Sequence, residues 1–560
     1  MKYSTLVEIY NKIQDTTKTL EKTKIISDFL KELEPSEVKD IVLLLRGRVF
    51  PEWDNRDIGI GAKLAIKAIS SAYGIPKNKI IDTWKELGDL GEVTEKLAEK
   101  RTQSTLFQEE LKVKKAIKNL RKIASLEGQG TIDRKISYLQ ELLSEPNSAK
   151  YIIRTCLEEL RIGVGEGTLR DAISQAFNID KKIIQRAYDL TTDFGEVAEK
   201  AAKGEKELKK VDIKIQKPIK VMLAQRVLDL TEAFERCGKP AQLEHKYDGF
   251  RMQIHKDGSK IRIFTRRLED VTKQFPIIKK EINKVIDAKN AIIEGEAVGY
   301  DEKGRSLPFQ NISERIRRKY DILEIAKKIP VKLNIFDILY LNNKTLIDKD
   351  LTERRELLEK ITKESNKISL SKKIITSDKK EAEEFYKKSL DLGHEGIMIK
   401  TLEAPYKPGS RIGYMVKLKP VMDSLDLVIV GAEWGTGKRA KWLSSFILAC
   451  KDENDKFLPI GKMGTGVKEK EDMGISFKYL TDKLEPLIIE QTGREVKVKP
   501  KIVVETNFEE IQKSPTYESG YALRFPRLSR LREDKAPEEV DKLERIKEIY
   551  EMQRGRKNEG

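Results

Sequence analysis

The sequence predicts a multidomain protein with an all-α domain over 1–212, an α+β domain over 213–421 and an all-β domain of the OB kind over 422–560. Three observations carry this prediction. A chain of 560 residues is too long for one hydrophobic core. Apolar residues recur at helical spacing with glycine breaks through the first part, and period-two alternation with short turns dominates the remainder.

Taken in order, MKYSTLVEIYNKIQ at the amino terminus reads as an amphipathic helix rather than a signal peptide. The helical part contains a repeat. Gly59-Ile60-Gly61 returns as Gly163-Val164-Gly165, an offset of 163 − 59 = 104, and that offset also carries Ala68-Ile69-Ser70 onto Ala172-Ile173-Ser174. Trp84 maps onto Tyr188, and Asp89-Leu90-Gly91-Glu92-Val93 onto Asp193-Phe194-Gly195-Glu196-Val197. Two copies of one helical unit follow. Each glycine turn sets backbone amides at a helix start, where they either grip phosphate or merely close a turn between helices.

Val211 to Pro218 reads as a linker or edge strand. From Gln242 to Arg267, two strand-type runs flank Asp257-Gly258, a hairpin signal. Strand periodicity places Gln242, Glu244 and Lys246 on one face, and Asp248-Gly249 follows as a turn. Ala291 to Val298 is a strand with Glu294 and Glu296 on a common face, followed by a turn at Asp301 to Gly304. Val331 to Leu341 is nearly all apolar and should be buried. A helix from about Asp378 to Leu392 leads to His394-Glu395-Gly396, and Tyr414 to Pro420 puts Lys417 and Lys419 on one strand face. After Met422 the runs DLVIVGAEW, SSFILACKD, FLPIGKMG and KIVVETNF fit a small barrel.

A formal charge of +17 points to a polyanionic partner, nucleic acid first. Charged residues make up 36% of the chain, rich in Lys and Glu, a leaning toward thermophile surfaces. The three cysteines, Cys156, Cys237 and Cys450, are scattered, which excludes a disulfide framework and a four-cysteine zinc site. With no apolar run of membrane-spanning length, the expected location is cytoplasmic.

Lys246 stands out chemically. A lysine is a nucleophile only when neutral, so its pKa of about 10.4 must be drawn down by cations, metal or desolvation. Arg251, Arg266 and Arg267 follow closely, and clustered arginines would both lower that pKa and hold phosphates.

Six collinear stretches then come together: KYDGFR at 246–251, TRRLE at 265–269, IEGEAV at 293–298, FDILY at 336–340, EGIMIK at 395–400 and VKLKP at 416–420. In order and spacing they resemble the motif series of covalent nucleotidyltransferases, and most closely the archaeal type of ATP-dependent DNA ligase. The resemblance implies a helical DNA-binding domain, an adenylation domain and an OB-fold domain. It implies that Lys246 carries AMP, that Glu244 contacts adenine, and that Phe336 stacks on the purine. Arg251 and Arg266 would bind ribose or phosphate oxygens, and Arg411, Lys417 and Lys419 would neutralise nucleotide phosphates. Glu296 and Glu395 are the carboxylates expected near magnesium or manganese, and Asp248 would orient the lysine or a metal-bound water. Arg524-Phe525-Pro526-Arg527, with Arg530, Arg532, Asp534 and Lys535, resembles the family's final motif, which orients pyrophosphate. His245, next to the lysine, should face away from the pocket.

Implied partners are ATP, nicked duplex DNA and a sliding clamp, with the chain acting as a monomer in replication, repair and recombination. The residues leave ADP, GTP and NAD open as nucleotides. An RNA-capping guanylyltransferase or an RNA ligase has no need of the duplicated helical part. An NAD-dependent ligase would bring a four-cysteine zinc module, and a DNA-binding scaffold would not need every charged motif position filled.

Overall fold

Helix boundaries in the first part of the chain restate the sequence repeat. The computed structural model describes residues 1–98, 110–128, 130–300, 306–307, 312, 324, 329–420, 424–435, 439, 441–471 and 474–553. The helices are α1 (Tyr3–Gln14), α2 (Thr19–Lys31), α3 (Pro35–Leu45), α4 (Ala62–Tyr73), α5 (Lys77–Leu87), α6 (Leu90–Ala98), α7 (Val113–Ser125), α8 (Thr131–Leu142), α9 (Pro146–Cys156), α10 (Glu166–Phe177), α11 (Lys181–Thr191), α12 (Phe194–Ala202) and α13 (Glu205–Lys209). Adding 104 to the ends of α4, α5 and α6 gives the ends of α10, α11 and α12. Both α3 and α9 open on a proline, whose fixed φ suits a first helical position.

The two copies pack crosswise. Helix α2 lies on α10 and α3 on α12, while α8 lies on α4 and α9 on α6. Each glycine turn is closed by a lysine of the other copy. A Cβ on Gly163 would lie 2.7 Å from Lys22 Nζ in α2, and one on Gly59 would lie 2.9 Å from Lys135 Nζ in α8. Both glycines have left-handed backbones, φ +69° and +70°, which other residues adopt at a cost. Lys22 Nζ also donates to the Ile162 carbonyl at 2.5 Å.

Beyond α13, residues 211–224 form no strand, in keeping with the expected linker. They are sewn to the strand Phe250–Asp257 by alternate residues of its one face. Arg251 Nη1 donates to the Met222 carbonyl at 2.8 Å, the Ile219 amide donates to Gln253 Oε1 at 2.9 Å, and the Gln216 amide donates to His255 Nδ1 at 3.1 Å. Since Nδ1 accepts, Nε2 carries the proton and points it at Gln253 Oε1, 3.0 Å away. His255 is thus a neutral imidazole, and burial pushes its pKa down to about 3.

The hairpin expected around Asp257-Gly258 forms, but the run before it lies in a different sheet. Ala241–Lys246 lies in a five-stranded sheet, ordered 225–227, 415–418, 396–401, 241–246, 373–376; Phe250–Asp257 lies in a seven-stranded one, where it sits between 260–265 and 290–300. The chain changes sheet across 247–249, and a Cβ on Gly249 would lie 2.5 Å from the Ala297 carbonyl oxygen. The turn also falls one residue later than expected. Asp257 pairs with Lys260, so Gly258-Ser259 is the loop, and Gly258 has the positive φ that a tight hairpin needs. The expected turn at Asp301 to Gly304 lies outside the described residues. Strands Asn290–Tyr300 and Val331–Leu341 and the helix Lys379–Asp391 stand where the sequence placed them.

Two compact units result. One comprises Met1–Gln225, Asp248–Lys372 and Thr401–Met415; the other comprises Arg226–Tyr247, Lys373–Lys400 and Val416–Gly560. The division runs through the middle of the chain because its two sheets have separate cores. Met252, Ile254, Ile293, Leu333 and Ile335 pack in the first unit, and Phe234, Leu243, Ile397, Ile399 and Val416 in the second. The second unit also holds the carboxy-terminal β structure, with Leu427, Phe446, Leu448, Phe477 and Val504 in its core. Its strand Leu425–Trp434 pairs along one edge with Leu443–Lys451, and along the other with both Glu495–Val498 and Val503–Asn507. A register shift between Ile429 and Gly431 bends this strand, the usual device for curling a small sheet.

His255 should make stability acid-sensitive. Its folded pKa of about 3 lies below the ordinary 6.5, so the unfolded chain binds the proton first. The contribution is complete above pH 6.5 and is lost as pH falls toward 3, by up to roughly 4 kcal/mol. In denaturant titrations between pH 7 and 4, His255→Gln should show a shallower loss of unfolding free energy than the wild type; equal slopes would contradict the assignment.

Candidate active site

In the second unit, Lys246 ends its strand where the Glu395 amide donates to the Lys246 carbonyl at 2.8 Å. Their side chains meet as well. Lys246 Nζ lies 2.5 Å from Glu395 Oε2, and Lys419 Nζ lies 2.8 Å from the same oxygen and 3.3 Å from Glu509 Oε2. The Glu395 side chain is only 9% exposed. Burial alone would raise its pKa, but Lys246 and Lys419 outweigh burial and hold the carboxyl well below the usual range. Lys417 belongs to the same group. Its pKa is depressed by burial first and then by Lys419 and Lys246, with Glu509 and Glu395 opposing.

Two backbone features bring these groups together. Gly396 has φ +139°, and a Cβ there would collide with the Leu418 carbonyl oxygen. Only glycine lets the strand after Glu395 run this close to the strand before Lys419. Glu244, two residues before Lys246 on the same face, is buried and takes hydrogen bonds from Gln242 Nε2 at 2.6 Å and Lys400 Nζ at 2.8 Å. Strand periodicity indicated the face but not Lys400, which a neighbouring strand supplies. His245 points to the opposite face, stacked on Phe385 with ring centroids 4.5 Å apart, as strand alternation required.

The first unit holds the other expected residues. Arg251 Nη2 lies 2.6 Å from Oε2 of Glu294, a fully buried carboxylate, and its guanidinium sits over the Phe336 ring at 5.4 Å. Tyr406 completes the set: its hydroxyl donates to Glu294 Oε2 at 2.9 Å and accepts the Met222 amide at 2.9 Å. Glu296 is the register partner of Arg251. Arg266 has its pKa lowered by burial first and then by Arg251 and Arg411, with Glu296 opposing. Three arginines and two carboxylates, Glu294 and Glu296, therefore share a neighbourhood with one net positive charge, which suits an anion. Asp248 is buried in this unit. Sequence reading missed the roles of Glu294 and Tyr406. Strand periodicity carried a signal for Glu294, whereas Tyr406 sits in the irregular stretch 402–414, where no periodicity exists.

Most cations of the carboxy-terminal motif are engaged within the β structure. Arg532 Nη1 and Lys535 Nζ lie 2.6 and 2.8 Å from Asp426, Arg530 lies 2.7 Å from Glu505, and Arg524 lies 3.2 Å from Glu510. Phe525 and Arg527 are exposed. The two carboxylates expected near a metal, Glu296 and Glu395, fall in different units, and no cage of three or more His, Cys, Asp or Glu side chains occurs among the described residues. Magnesium does not need one, because it is commonly held by one or two carboxylates with substrate phosphates and water. A buried, strongly acidic Glu395 beside phosphate-attracting lysines fits that pattern.

Comparison with known proteins identifies the family to which this chain is similar. Family profiles described as ATP dependent DNA ligase domain, DNA ligase N terminus and ATP dependent DNA ligase C terminal region match residues 221–419, 2–174 and 439–535. A DNA ligase of Nanoarchaeum equitans is 49% identical over 99% of this chain and 99% of its own, and one of Thermococcus onnurineus is 46% identical over 99% and 98%. A solved structure named Pmar-Lig_PreS3 shares the fold at 18% identity, with a TM-score of 0.56 across 94% of this chain and 99% of that one. No helix among the described residues is long and apolar enough to cross a membrane.

Gly396→Ala combines a collision with a left-handed backbone. It should lower unfolding free energy by about 2 kcal/mol or more and separate Glu395 from Lys419. Thermal unfolding would register the first effect, and a midpoint within a degree of wild type would show that the strands can part without cost.

Proposed function

Since this chain belongs to the ATP-dependent DNA ligase family, we propose that Lys246 is the residue through which it seals nicks in duplex DNA. The enzyme acts in three transfers. A lysine amine attacks the α-phosphorus of ATP, forming a P–N bond and releasing pyrophosphate; a 5′-phosphate at a nick takes the AMP, and the lysine regains its proton; the 3′-hydroxyl then displaces AMP to leave a phosphodiester. Each transition state is anionic and in line, so positioning and charge neutralisation supply most of the rate.

The observation that supports Lys246 most strongly is its company, with Glu395, Lys417 and Lys419 gathered at the strand end. Lys417 and Lys419 attract phosphate, while Glu395 holds the amine in place. Glu395 in the second unit and Glu296 in the first are each proposed as carboxylates that would hold magnesium, whose charge would offset that of the phosphates. Glu244, oriented by Lys400, contacts the adenine edge, and Phe336 presents a flat apolar face to the purine. Arg251 is pinned by Glu294 and Met222, so contacts to ribose and phosphate oxygens fall mainly to Arg266 and Arg411. Asp248 orients the lysine or a metal-bound water. Arg527 orients pyrophosphate in the first transfer, together with Arg524.

The helical part, residues 1–212, grips the duplex, with residues 213–421 as the adenylation domain and 422–560 as the OB-fold domain. Gly61 and Gly165 start α4 and α10 in extended backbone, and a Cβ on either would meet nothing within 4 Å. That open space suits close approach of a phosphate to the helix amides. The enzyme works inside the cell as a monomer, and a sliding clamp recruits it.

Two experiments test these readings. Lys246→Ala and Lys246→Arg should both abolish the covalent, acid-labile AMP adduct formed with labelled ATP, because arginine stays protonated and cannot attack; an adduct on Lys246→Arg would reveal another nucleophile. Gly61→Ser with Gly165→Ser supplies favoured helix caps. Unfolding should therefore be unchanged or slightly later, yet nicked-duplex binding should weaken about tenfold at low salt, and unaltered affinity would rule the two turns out as phosphate sites.

A further inference from the structure

Tyr406 lies in none of the stretches that carry the ligase resemblance, yet its hydroxyl stands at the centre of a buried knot. It donates to Glu294 Oε2 at 2.9 Å, accepts the Met222 amide at 2.9 Å and lies 3.3 Å from Arg251 Nη2. Glu294 takes Arg251 Nη2 at 2.6 Å, and Met222 takes Arg251 Nη1 through its carbonyl at 2.8 Å. Two of the three nitrogens of the Arg251 guanidinium are thereby fixed, and Tyr406 touches the partner of each. The plane so held lies over Phe336, 5.4 Å from the ring centre. We infer that Tyr406 is a positioning residue for the nucleotide site, fixing Arg251, and through it the Phe336 ring, by orienting Glu294 and Met222.

The chemistry suits a fixed strut rather than a switch. Burial, and then the Glu294 charge, push the Tyr406 hydroxyl well above its ordinary range, so it keeps its proton and remains a donor. A buried guanidinium and a buried carboxylate left to themselves can slide between several pairings. A third group that donates to one carboxylate oxygen removes that freedom. Arg354 anchors the same stretch of chain from the other side. It lies 2.8 Å from Asp337, next to Phe336, and donates to the Ala404 carbonyl at 3.2 Å. Tyr406 and Phe336 are thus tied into one frame within the first unit.

The inference rests on the proposal that Phe336 and its neighbours hold the adenosine part of ATP. That part is remote from the reacting phosphorus, so its contacts are equal in the ground and transition states. Losing them raises KM and leaves kcat alone. Tyr406→Phe in the full-length enzyme should therefore raise KM for ATP in single-round adenylylation about tenfold, with kcat within twofold and a thermal midpoint lowered by a few degrees at most. A fall in kcat with KM unchanged would overturn the inference.

A double-mutant cycle with Arg251→Lys separates positioning from general loosening. If Tyr406 acts through Arg251, the Tyr406→Phe effect on KM should nearly vanish in the Arg251→Lys background. The same tenfold cost in both backgrounds would overturn the inference. Phe336→Ala distinguishes this failure from failure of the nucleotide reading itself. If Phe336→Ala raises KM and Tyr406→Phe does not, the site stands and the strut is wrong; if neither variant moves KM, the purine is not bound there and both fall.

Discussion

As the proposed nucleophile, Lys246 has to be held firmly without being neutralised by what holds it, and its ion pairs in the second unit bear directly on that conflict. Glu395 takes two ammonium groups on one oxygen, and Glu509 takes a share of Lys419. Ion pairs this far out of water recover their desolvation only if the geometry is good and the charges balance. They do not balance here. Lys246, Lys417 and Lys419 face Glu395 and Glu509, three cations to two carboxylates, which leaves one positive charge uncompensated. The glycine at 396 is part of the same arrangement, because any side chain there would force apart the two strands whose ends carry Glu395 and Lys419.

The first unit solves a related problem differently. Arg251 is matched by a fully buried carboxylate and held rigid, whereas Arg266 lies near Arg251 and Arg411 with Glu296 as its opposing charge. One arginine thus serves as frame and the others retain electrostatic demand.

How much of this was legible in the sequence depended on whether a periodicity was present. Strand alternation put Gln242, Glu244 and Lys246 on one face and turned His245 away, and the packing bears out both. The 104-residue repeat announced two copies of one helical unit, and the ends of α4, α5 and α6 recur at that offset in α10, α11 and α12. By contrast, the change of sheet after Lys246 was hidden, because Tyr247-Asp248-Gly249 reads as a local turn whether or not the next strand pairs with the last one. The Lys400–Glu244 and Tyr406–Glu294 contacts join residues more than a hundred positions apart. No local pattern encodes such a pairing. For the carboxy-terminal arginines, composition could not say which were already spent on Asp426 and Glu505.

The crosswise packing of the helical repeats bears on how this protein came to be and how it is made. Since α2 and α3 bury their apolar faces against α10 and α12, and α8 and α9 against α4 and α6, one copy alone leaves both ends of its core open to water. Its natural complement is a second copy related by a two-fold axis, so the arrangement is that of an isologous homodimer joined into a single polypeptide. On the ribosome the same topology imposes a delay. The contacts of α3 with α12 link positions about 150 residues apart, so the amino-terminal half can complete its core only after residue 202 has left the exit tunnel. Until then α1 to α3 are a surface waiting for a partner, and that interval is when a chaperone, or another nascent copy of this chain, can compete for the place of α10 and α12.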